Sequence, residues 1–263
     1  MSAPVTSLPE VVAPFSWREA GELRWIEAKI GSATAAFSTR LGGVSEGAYR
    51  SLNLGVLTDD DRDRVLGNRR ALTAALARDG ESIVMGRQVH GTEVQVRQTA
   101  PEPGAALREA DAQITGAPDL TPLVLVADCI PLVLVAPGAV AAVHCGWRGV
   151  ADGIIERAVA AVRDRAPGAL SGALGPGIGA CCYEVGDDVR AAFRGRGHGD
   201  GVVSERRLDL ALAVRRELEE LGVAAGRIHA CELCTSCNPE LFFSHRRDGG
   251  LTGRQAGLAW LSS

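Results

Sequence analysis

The sequence predicts an α+β fold, a single-domain mixed β-sheet sandwich with flanking helices. Patterns typical of short strands outnumber helical patterns, and several of them lie within hairpin reach of one another along the chain. No GxGxxG motif follows the first predicted strand and no GxxxxGKS/T motif occurs, so the common dinucleotide and Walker phosphate sites are excluded. A chain of 263 residues can bury one substantial core, and no linker divides this one. We therefore expect a flexible segment over residues 1–20 and one domain over residues 21–263.

The first half of the chain is predicted to be rich in strands. Gly31-Ser32 is a turn signal between two apolar stretches, and it predicts an opening hairpin of residues 24–30 and 33–38. A helix should follow, because Asp59 or Asp60 can cap its start and Gly80 can end it. Apolar runs predict further strands around residues 82–85, 94–97, 112–115, 123–126, 132–136 and 140–144.

The second half is predicted to mix helices with short strands. Apolar periodicity predicts helices over residues 150–165, 186–193 and 208–221, and the last of these separates an apolar face from a charged one. Short strands are predicted at residues 173–174 and 256–261. The polar, glycine-rich segment before the final strand reads as a loop.

Composition limits the classes of partner. The net charge is -4 and the basic residues are spread along the chain, which argues against a nucleic-acid partner. Asp128 and Pro131 interrupt the longest apolar segment, so it falls short of the roughly 18 residues of a membrane span and no membrane partner is expected. The first residues lack the basic and apolar regions of a signal peptide, so we expect a cytoplasmic protein. Nothing in the sequence indicates an obligate protein partner.

Three residues are candidates for one catalytic metal site. Cys129 and His144 lie at two breaks in the apolar region 123–149, where predicted strands end. His90, in the segment RQVHGTE, is the best third ligand. One cysteine and two histidines are a ligand set of catalytic zinc, which keeps a position open for water or substrate. On the residues alone the alternative stays open that Cys129 and His144 are packed core residues.

Several loop residues are candidates for binding an anion. The backbone of the glycine-rich loop at Gly175, Gly177 and Gly179 can cradle a phosphate, although a purely structural turn explains the glycines equally well. Arg40 and Arg148 lie in loops beside glycines and suit phosphate or carboxylate, as do Arg246 and Arg247.

The other cysteines receive no role from the sequence. Seven cysteines without an export signal are expected to be thiols or metal ligands rather than disulfides. Cys231, Cys234 and Cys237 form a CxxCxxC run, but no fourth cysteine follows with suitable spacing, so an iron–sulfur cluster is not predicted. Cys181 and Cys182 are likewise unassigned. The H-x-E and PCxxC signature of zinc deaminases is absent.

Seven motifs together resemble one protein family. In chain order they are FSTRLGGVSEGAYRSLNLG, RQVHGTEV, ADAQIT, VADCIPLVL, AAVHCGWRG, LGPGIGACCYEVG and CTSCNPELFFSHRRDGGLTGRQA. They are similar to the YfiH-like family, once called multicopper polyphenol oxidoreductase or laccase. Its members are known as purine nucleoside phosphorylases with adenosine deaminase activity, and some are called peptidoglycan editing factor. The resemblance covers Phe37 to Gln255, nearly the whole chain.

The resemblance implies a fold, a metal site and an activity. The fold would be a mixed sandwich related to cytotoxic-necrotizing-factor-like cysteine hydrolases. The catalytic metal ligands would be His90, Cys129 and His144, with zinc as the cofactor. The reaction would be phosphorolysis of adenosine, inosine, guanosine or methylthioadenosine to the base and the (methylthio)ribose 1-phosphate, with adenosine deamination in the same pocket.

The same resemblance brings candidate substrate residues and two alternative functions. Phosphate and nucleoside are the expected partners, and their candidate contacts are Arg40, Asn53, Arg148 and Gly177. One alternative is an amidase that edits a peptidoglycan precursor, a UDP-MurNAc peptide, with Cys129 as nucleophile. The other is a copper-dependent polyphenol oxidase, which needs several histidine-rich copper sites, whereas the chain has five histidines in total.

Overall fold

The computed structural model describes residues 7–102, 106–199, 201–204 and 206–262, and these form two mixed sheets. The first sheet has, in spatial order, the strands β1 (Phe15–Ala20), β2 (Leu23–Ile30), β3 (Ala33–Ser38), β12 (Gln255–Leu261), β7 (Thr121–Val126) and β4 (Ile83–Val84). Its neighbours are antiparallel except for β4 and β7.

The second sheet stacks on the first. Its spatial order is β11 (Ile228–Ala230), β10 (Ser171–Leu174), β8 (Ile130–Ala136), β9 (Ala139–Cys145), β6 (Ala112–Thr115) and β5 (Val94–Arg97). The two outer pairs are parallel and the inner pairs antiparallel.

Helices cover both outer faces of this sandwich. Five α-helices occur in the described residues: α1 (Arg62–Ala75), α2 (Trp147–Asp152), α3 (Ile154–Arg165), α4 (Asp187–Gly195) and α5 (Leu210–Glu220). The first helix packs on the first sheet through Leu72, and α3 and α5 pack on the second. Side chains such as Phe37 and Val133 fill the space between the sheets. The predicted mixed-sheet sandwich with flanking helices is confirmed.

The central hairpin β8–β9 explains the apolar run of the sequence. All fourteen of its strand residues are buried, because one face meets the first sheet and the other meets the helices. Gly138 makes the turn with a positive φ of 88°, in the left-handed region that glycine adopts without strain. In the register of the hairpin, Pro131 faces His144 and Ile130 faces Cys145. This pairing brings Cys129, just before β8, to the end of β9.

Three sequence-based boundaries need correction. Residues 15–20, expected to be flexible, form β1 at the edge of the first sheet. The cap of α1 is Asp61 rather than Asp59 or Asp60, and the helix ends at Ala75, before Gly80. The helix expected over residues 150–165 is two helices, because Gly153 at φ 95° interrupts the chain between them.

Several strand predictions are confirmed closely. The opening hairpin and the strands at 94–97 and 112–115 fall where the sequence placed them. None of the helices in the described part of the chain has the length and apolar character needed to cross a bilayer.

Candidate active site

The three predicted metal ligands lie together at one end of the second sheet. Cys129 follows Asp128 in the turn between β7 and β8, and Asp128 adopts a positive φ of 89°. His144 is near the end of β9, and His90 comes from the loop before β5. The candidate ligand atoms all lie within 4.8 Å of one another, and Cys129 Sγ is 3.8 Å from His90 Nε2. The chain therefore converges two imidazoles and one thiol on a single point.

A buried carboxylate that the sequence analysis missed orients this group. Asp111 Oδ1 is 2.7 Å from His144 Nδ1, and the carboxylate also accepts the backbone N–H groups of Val89, His90 and Gly91 at 2.9–3.0 Å. Asp111 thus fixes both the ring of His144 and the loop that carries His90. Since Nδ1 of His144 is taken by Asp111, its Nε2 is left for a ligand or for Cys129. The signal was available, because Asp111 directly precedes β6 in the motif ADAQIT.

The thiol of Cys129 and the imidazole of His144 change each other's acidity. Burial by itself raises the pKa of Cys129 and lowers the pKa of His144. Three interactions outweigh burial: the attraction between the two groups, the hydrogen bond that His90 donates to Cys129, and the hydrogen bond that His144 Nδ1 donates to Asp111. The pKa of Cys129 falls to about 6 and the pKa of His144 rises to about 9. The thiolate is the form in which cysteine ligates a metal or attacks carbon.

The turn that carries Cys129 is braced from a distant loop. The hydroxyl of Thr235 donates to Asp128 Oδ1 at 2.6 Å, and the backbone N–H of Arg246 donates to Asp128 Oδ2 at 2.7 Å. The carbonyl of Asp128 accepts the backbone N–H of Ile178 at 2.8 Å. These three contacts fix the positive φ of Asp128, and with it the direction of Cys129.

A cavity of about 550 Å³ opens over the three ligands. Its size falls in the usual range for a small-molecule site. Part of the lining is apolar and includes Leu107, Leu125, Trp147 and Tyr183. Five arginines also line it: Arg69, Arg87, Arg148, Arg246 and Arg254. The cavity therefore offers flat apolar surface together with a concentration of positive charge suited to an anion.

The arginines differ in how many of their hydrogen-bond donors are already used by other groups of the protein. Arg148 lies over the Trp147 ring at 4.4 Å, and no protein hydrogen bond to its guanidinium is found among the described residues. One terminal nitrogen of Arg69 is buried without a partner in the same part of the chain. Burial lowers the pKa of Arg69 to about 10. Arg87 is paired with Glu109, and Arg254 donates to the carbonyls of Thr252 and Gly253. Arg148 is thus the most available cation for a ligand.

Of the four predicted substrate residues, only Arg148 lines the cavity. Arg40 donates to the carbonyls of Arg50 at 2.8 Å and Pro239 at 3.0 Å, and its guanidinium lies over the Phe243 ring at 4.5 Å. These contacts use Arg40 to hold loops together. These contacts favour a structural role for Arg40, and its contact with phosphate stays a prediction.

Asn53 supports the cavity wall from behind. Its amide nitrogen donates to Thr58 and Asp60, and its oxygen accepts the backbone N–H groups of Gly55 and Arg254, all at 2.9–3.0 Å. Gly55, Thr58 and Arg254 line the cavity, whereas Asn53 is fully buried. Asn53 is placed as a positioning residue and not as a direct contact.

The glycine-rich loop is explained by close packing. A Cβ on Gly175 would lie 2.2 Å from the Phe37 ring, and a Cβ on Gly177 would lie 2.3 Å from Ile130 Cδ1. The carbonyl of Gly177 accepts the backbone N–H of Thr235. Both glycines are buried, so the structural alternative for this loop is favoured over the anion cradle.

Comparison with known proteins identifies the family to which the chain belongs. The family model described as multi-copper polyphenol oxidoreductase laccase matches residues 34–262. The chain belongs to this laccase-like family. The purine nucleoside phosphorylase YlmD of Geobacillus stearothermophilus is 37% identical over 259 residues, which cover 91% of this chain and 94% of the relative. The purine nucleoside phosphorylase YfiH of Escherichia coli K12 is 38% identical, over 86% of this chain and 93% of the relative.

Solved structures of this laccase-like family share the fold. The crystal structure of YlmD from Geobacillus stearothermophilus has a TM-score of 0.85 at 34% identity, and covers 95% of this chain and 100% of that one. The crystal structure of the Bacillus licheniformis hypothetical protein YfiH has a TM-score of 0.86 at 32% identity with the same coverage. The resemblance to the YfiH-like family is confirmed, as is a mixed α+β architecture. The relation to cysteine hydrolases stays a prediction.

Proposed function

We propose that this protein is a zinc-dependent purine nucleoside phosphorylase. The observation that carries the proposal is the convergence of His90, Cys129 and His144 beneath an arginine-lined cavity. The names of the relatives support an enzyme of this kind. The proposed partners are accordingly small molecules, a nucleoside and phosphate, in the cytoplasm.

The residues fit a zinc ion by the chemistry of their donor set. Two imidazoles and a thiolate would hold it and leave one position open, as in catalytic zinc sites. The contact from Asp111 to His144 Nδ1 is the carboxylate–histidine arrangement that accompanies metal-ligating histidines. When bound, zinc would supply a positive charge that polarises a substrate oxygen or nitrogen and lowers the pKa of water.

The remaining work of phosphorolysis falls to the cavity lining. Phosphate must be held in line with the bond between C1′ of the sugar and the purine nitrogen, and the guanidinium of Arg148 is available to hold it. The apolar side chains of Leu107 and Leu125 offer surface for the purine base. Attack by a phosphate oxygen on C1′ forms the sugar phosphate, and the bonding electrons leave with the base.

Adenosine, inosine, guanosine and methylthioadenosine are the proposed substrates, with adenosine deamination as a second activity of the cavity. A deaminase of the usual zinc signature is excluded by the sequence. Deamination would use the same three residues, His90, Cys129 and His144, and a bound zinc would supply the chemistry of lowering the pKa of water. This predicts that phosphorolysis and deamination are lost together when a ligand is removed.

A cysteine amidase is the second candidate. In this reading Cys129 is the nucleophile, His144 is its base, and Asp111 is the carboxylate that orients His144. The lowered pKa of Cys129 suits a nucleophile. His90 favours a metal site over an amidase. The nucleophile of a cysteine hydrolase needs one imidazole as its base, whereas here a second imidazole lies 3.8 Å from the thiol.

A multicopper oxidase has less support. Within the described residues, only one group of potential metal ligands contains histidine, and it contains two of the five. His198 is buried, and its Nε2 lies 3.0 Å from Glu217 Oε1. Several histidine-rich copper sites cannot be assembled from this distribution.

The proposal is tested by the products. Zinc-loaded protein is incubated with each nucleoside, with and without phosphate, and with a UDP-MurNAc peptide, and the products are identified by mass. We expect free base and ribose 1-phosphate only when phosphate is present. Cleavage of the peptide substrate with no nucleoside turnover would instead establish the amidase, and Cys129→Ala serves as the inactive control for both.

A further inference from the structure

A second group of potential metal ligands lies on the surface, apart from the active-site ligands. Cys181, Cys182, Cys234 and Cys237 place their sulfur atoms within 4.8 Å of one another. Cys237 Sγ is 3.5 Å from Cys181 Sγ and 3.4 Å from Cys182 Sγ. The CxxCxxC run therefore supplies two of the four ligands, Cys234 and Cys237, and another loop supplies Cys181 and Cys182. Cys231, the first cysteine of that run, is only 3% exposed and is not part of the group.

The spacing fits four ligands of one ion. In a tetrahedral site with Zn–S bonds of about 2.3 Å, neighbouring sulfurs are separated by about 3.8 Å. An iron–sulfur cluster distributes its thiolates over several iron atoms and so holds them farther apart than the ligands of one ion. A disulfide would select one partner, whereas Cys237 lies almost equally close to two.

Both loops hold their cysteines by backbone contacts. The backbone N–H of Cys182 donates to the carbonyl of Gly179, which forms a tight turn, and the side chain of Asn238 donates to the carbonyl of Cys234 at 2.8 Å. The backbone N–H of Gly179 donates to Cys234 Sγ at 3.2 Å, the type of contact that favours a charged sulfur. A Cβ on Gly179 would meet Cys181 Sγ at 3.2 Å and Cys234 Cβ at 3.3 Å, so glycine leaves room for the sulfurs.

Two arginines place positive charge beside the group. Arg207 donates to the carbonyl of Ala180 at 3.3 Å, next to Cys181. Arg247 donates to the carbonyl of Thr235 at 2.9 Å, between Cys234 and Cys237. Four thiolates around a divalent cation carry a net charge of -2. Arg207 would partly offset this charge, whereas the charge of Arg247 is already paired with Asp248.

The group joins a segment that lines the active-site cavity to a segment that braces the turn carrying Cys129. Ile178 and Tyr183 flank Cys181 and Cys182 in sequence and line the cavity. Thr235, between the other two cysteines, donates its hydroxyl to Asp128 next to Cys129. An ion held by the four thiolates would cross-link these segments.

We propose that Cys181, Cys182, Cys234 and Cys237 form a structural zinc site that fastens the two segments together. Zinc closes such tetrathiolate sites fully, which leaves no position for a substrate. This site is separate from His90, Cys129 and His144 and does not depend on the proposed reaction. Cys181 and Cys237 are exposed, so the ion has an entry path.

The test is the zinc content of variants purified with reductant and without chelator. We expect about two zinc ions per chain in the unaltered protein, since each group supplies one site. Cys129→Ala and the double variant Cys234→Ser with Cys237→Ser should each keep about one, and the combination of all three should keep none. Cys231→Ala is the matched control and should keep both. The proposal would be overturned if the unaltered protein held only about one zinc per chain and the double variant held the same amount.

A cobalt titration covers the case in which the double variant does not fold. The Cys129→Ala protein retains all four surface cysteines. After its zinc has been removed with chelator under reductant and the chelator has been removed in turn, we expect one equivalent of Co²⁺ to produce the strong thiolate-to-metal charge-transfer absorption of a tetrathiolate site, which Zn²⁺ then abolishes. Absence of this absorption, or disulfides among the four cysteines found by mass spectrometry in the reduced preparation, would contradict the site. Iron with inorganic sulfide would contradict it as well.

Discussion

At the scale of single residues, the active-site geometry depends on a side chain that touches no substrate. Asp111 holds His144 through Nδ1 and holds the His90 loop through three backbone N–H groups. Burial acts to raise its pKa, but the contact with His144 and the backbone hydrogen bonds hold the pKa below its usual value. The carboxylate therefore stays charged and joins two of the three ligands through one group.

Asp111→Asn should weaken the active-site metal. An amide cannot accept all the N–H groups that the carboxylate accepts, and loss of such an outer partner typically costs about 10- to 100-fold in metal affinity or activity. The measurement is the zinc concentration that gives half-maximal phosphorolysis. Asp209→Asn is the matched control, because Asp209 caps α5 and asparagine caps a helix equally well. Equal behaviour of the two variants would exclude the orienting role of Asp111.

Arg148 and Arg40 should separate phosphate binding from stability. Arg148→Ala removes the available guanidinium of the cavity, and loss of a charge-assisted contact of roughly 1.5–3 kcal/mol should raise the phosphate KM about tenfold or more. Arg40→Ala should instead lower the free energy of unfolding, because Arg40 holds the carbonyls of Arg50 and Pro239. Phosphate kinetics and denaturant melts of both variants distinguish the roles. A larger rise in phosphate KM for Arg40→Ala would restore Arg40 as the phosphate ligand.

At the scale of elements, β1 shows that residues 15–20 belong to the fold. Its six residues pair with β2, and Trp17 Nε1 donates to the carbonyl of Pro9 at 2.7 Å. Phe15 packs against Phe37 with ring centroids 6.3 Å apart. This strand is hard to recognise in the sequence, because only part of β1 is buried at the edge of the sheet and its apolar pattern is short.

Phe15→Ala should destabilise the protein by about 3–5 kcal/mol, the usual cost of removing a buried phenyl ring. Val12→Ala is the control and should change the free energy of unfolding by less than about 0.5 kcal/mol, as surface substitutions do. Phe15 is 5% exposed and Val12 is 60% exposed. Equilibrium unfolding in denaturant measures both. Equal stability of the two variants would mean that residues 1–20 are flexible, as the sequence alone predicted.

At the scale of the whole molecule, the sequence predicts what is local and misses what is assembled from distant segments. The apolar runs of β8 and β9 predict buried strands, and the breaks at Cys129 and His144 predict the ligands, because both signals are contained in one stretch. The arginine lining comes from segments as far apart as Arg69 and Arg254. Two cysteines of the CxxCxxC run, Cys234 and Cys237, meet Cys181 and Cys182 from a distant loop. No pattern within one stretch of sequence predicts that these distant segments lie close together in space.

The same limit applies to the predicted phosphate residues. Arg40 and Gly177 carry the chemistry that phosphate requires, but their partners in space are Phe243 and Ile130. A guanidinium or a glycine in a loop is ambiguous until its surroundings are known. The family motifs contain both residues that line the cavity and residues that support its wall, and the motifs alone could not separate the two sets.

The most direct test of the central claim follows the phosphate oxygens. The zinc-loaded protein is given inosine and phosphate labelled with ¹⁸O at all four oxygens, and the sugar product is analysed by mass, with Cys129→Ala as the blank. The account predicts hypoxanthine and ribose 1-phosphate that retains every labelled oxygen, because a phosphate oxygen forms the new bond to C1′. Free ribose produced at the same rate with or without phosphate would contradict the account, because the cavity would then direct water and not phosphate to C1′.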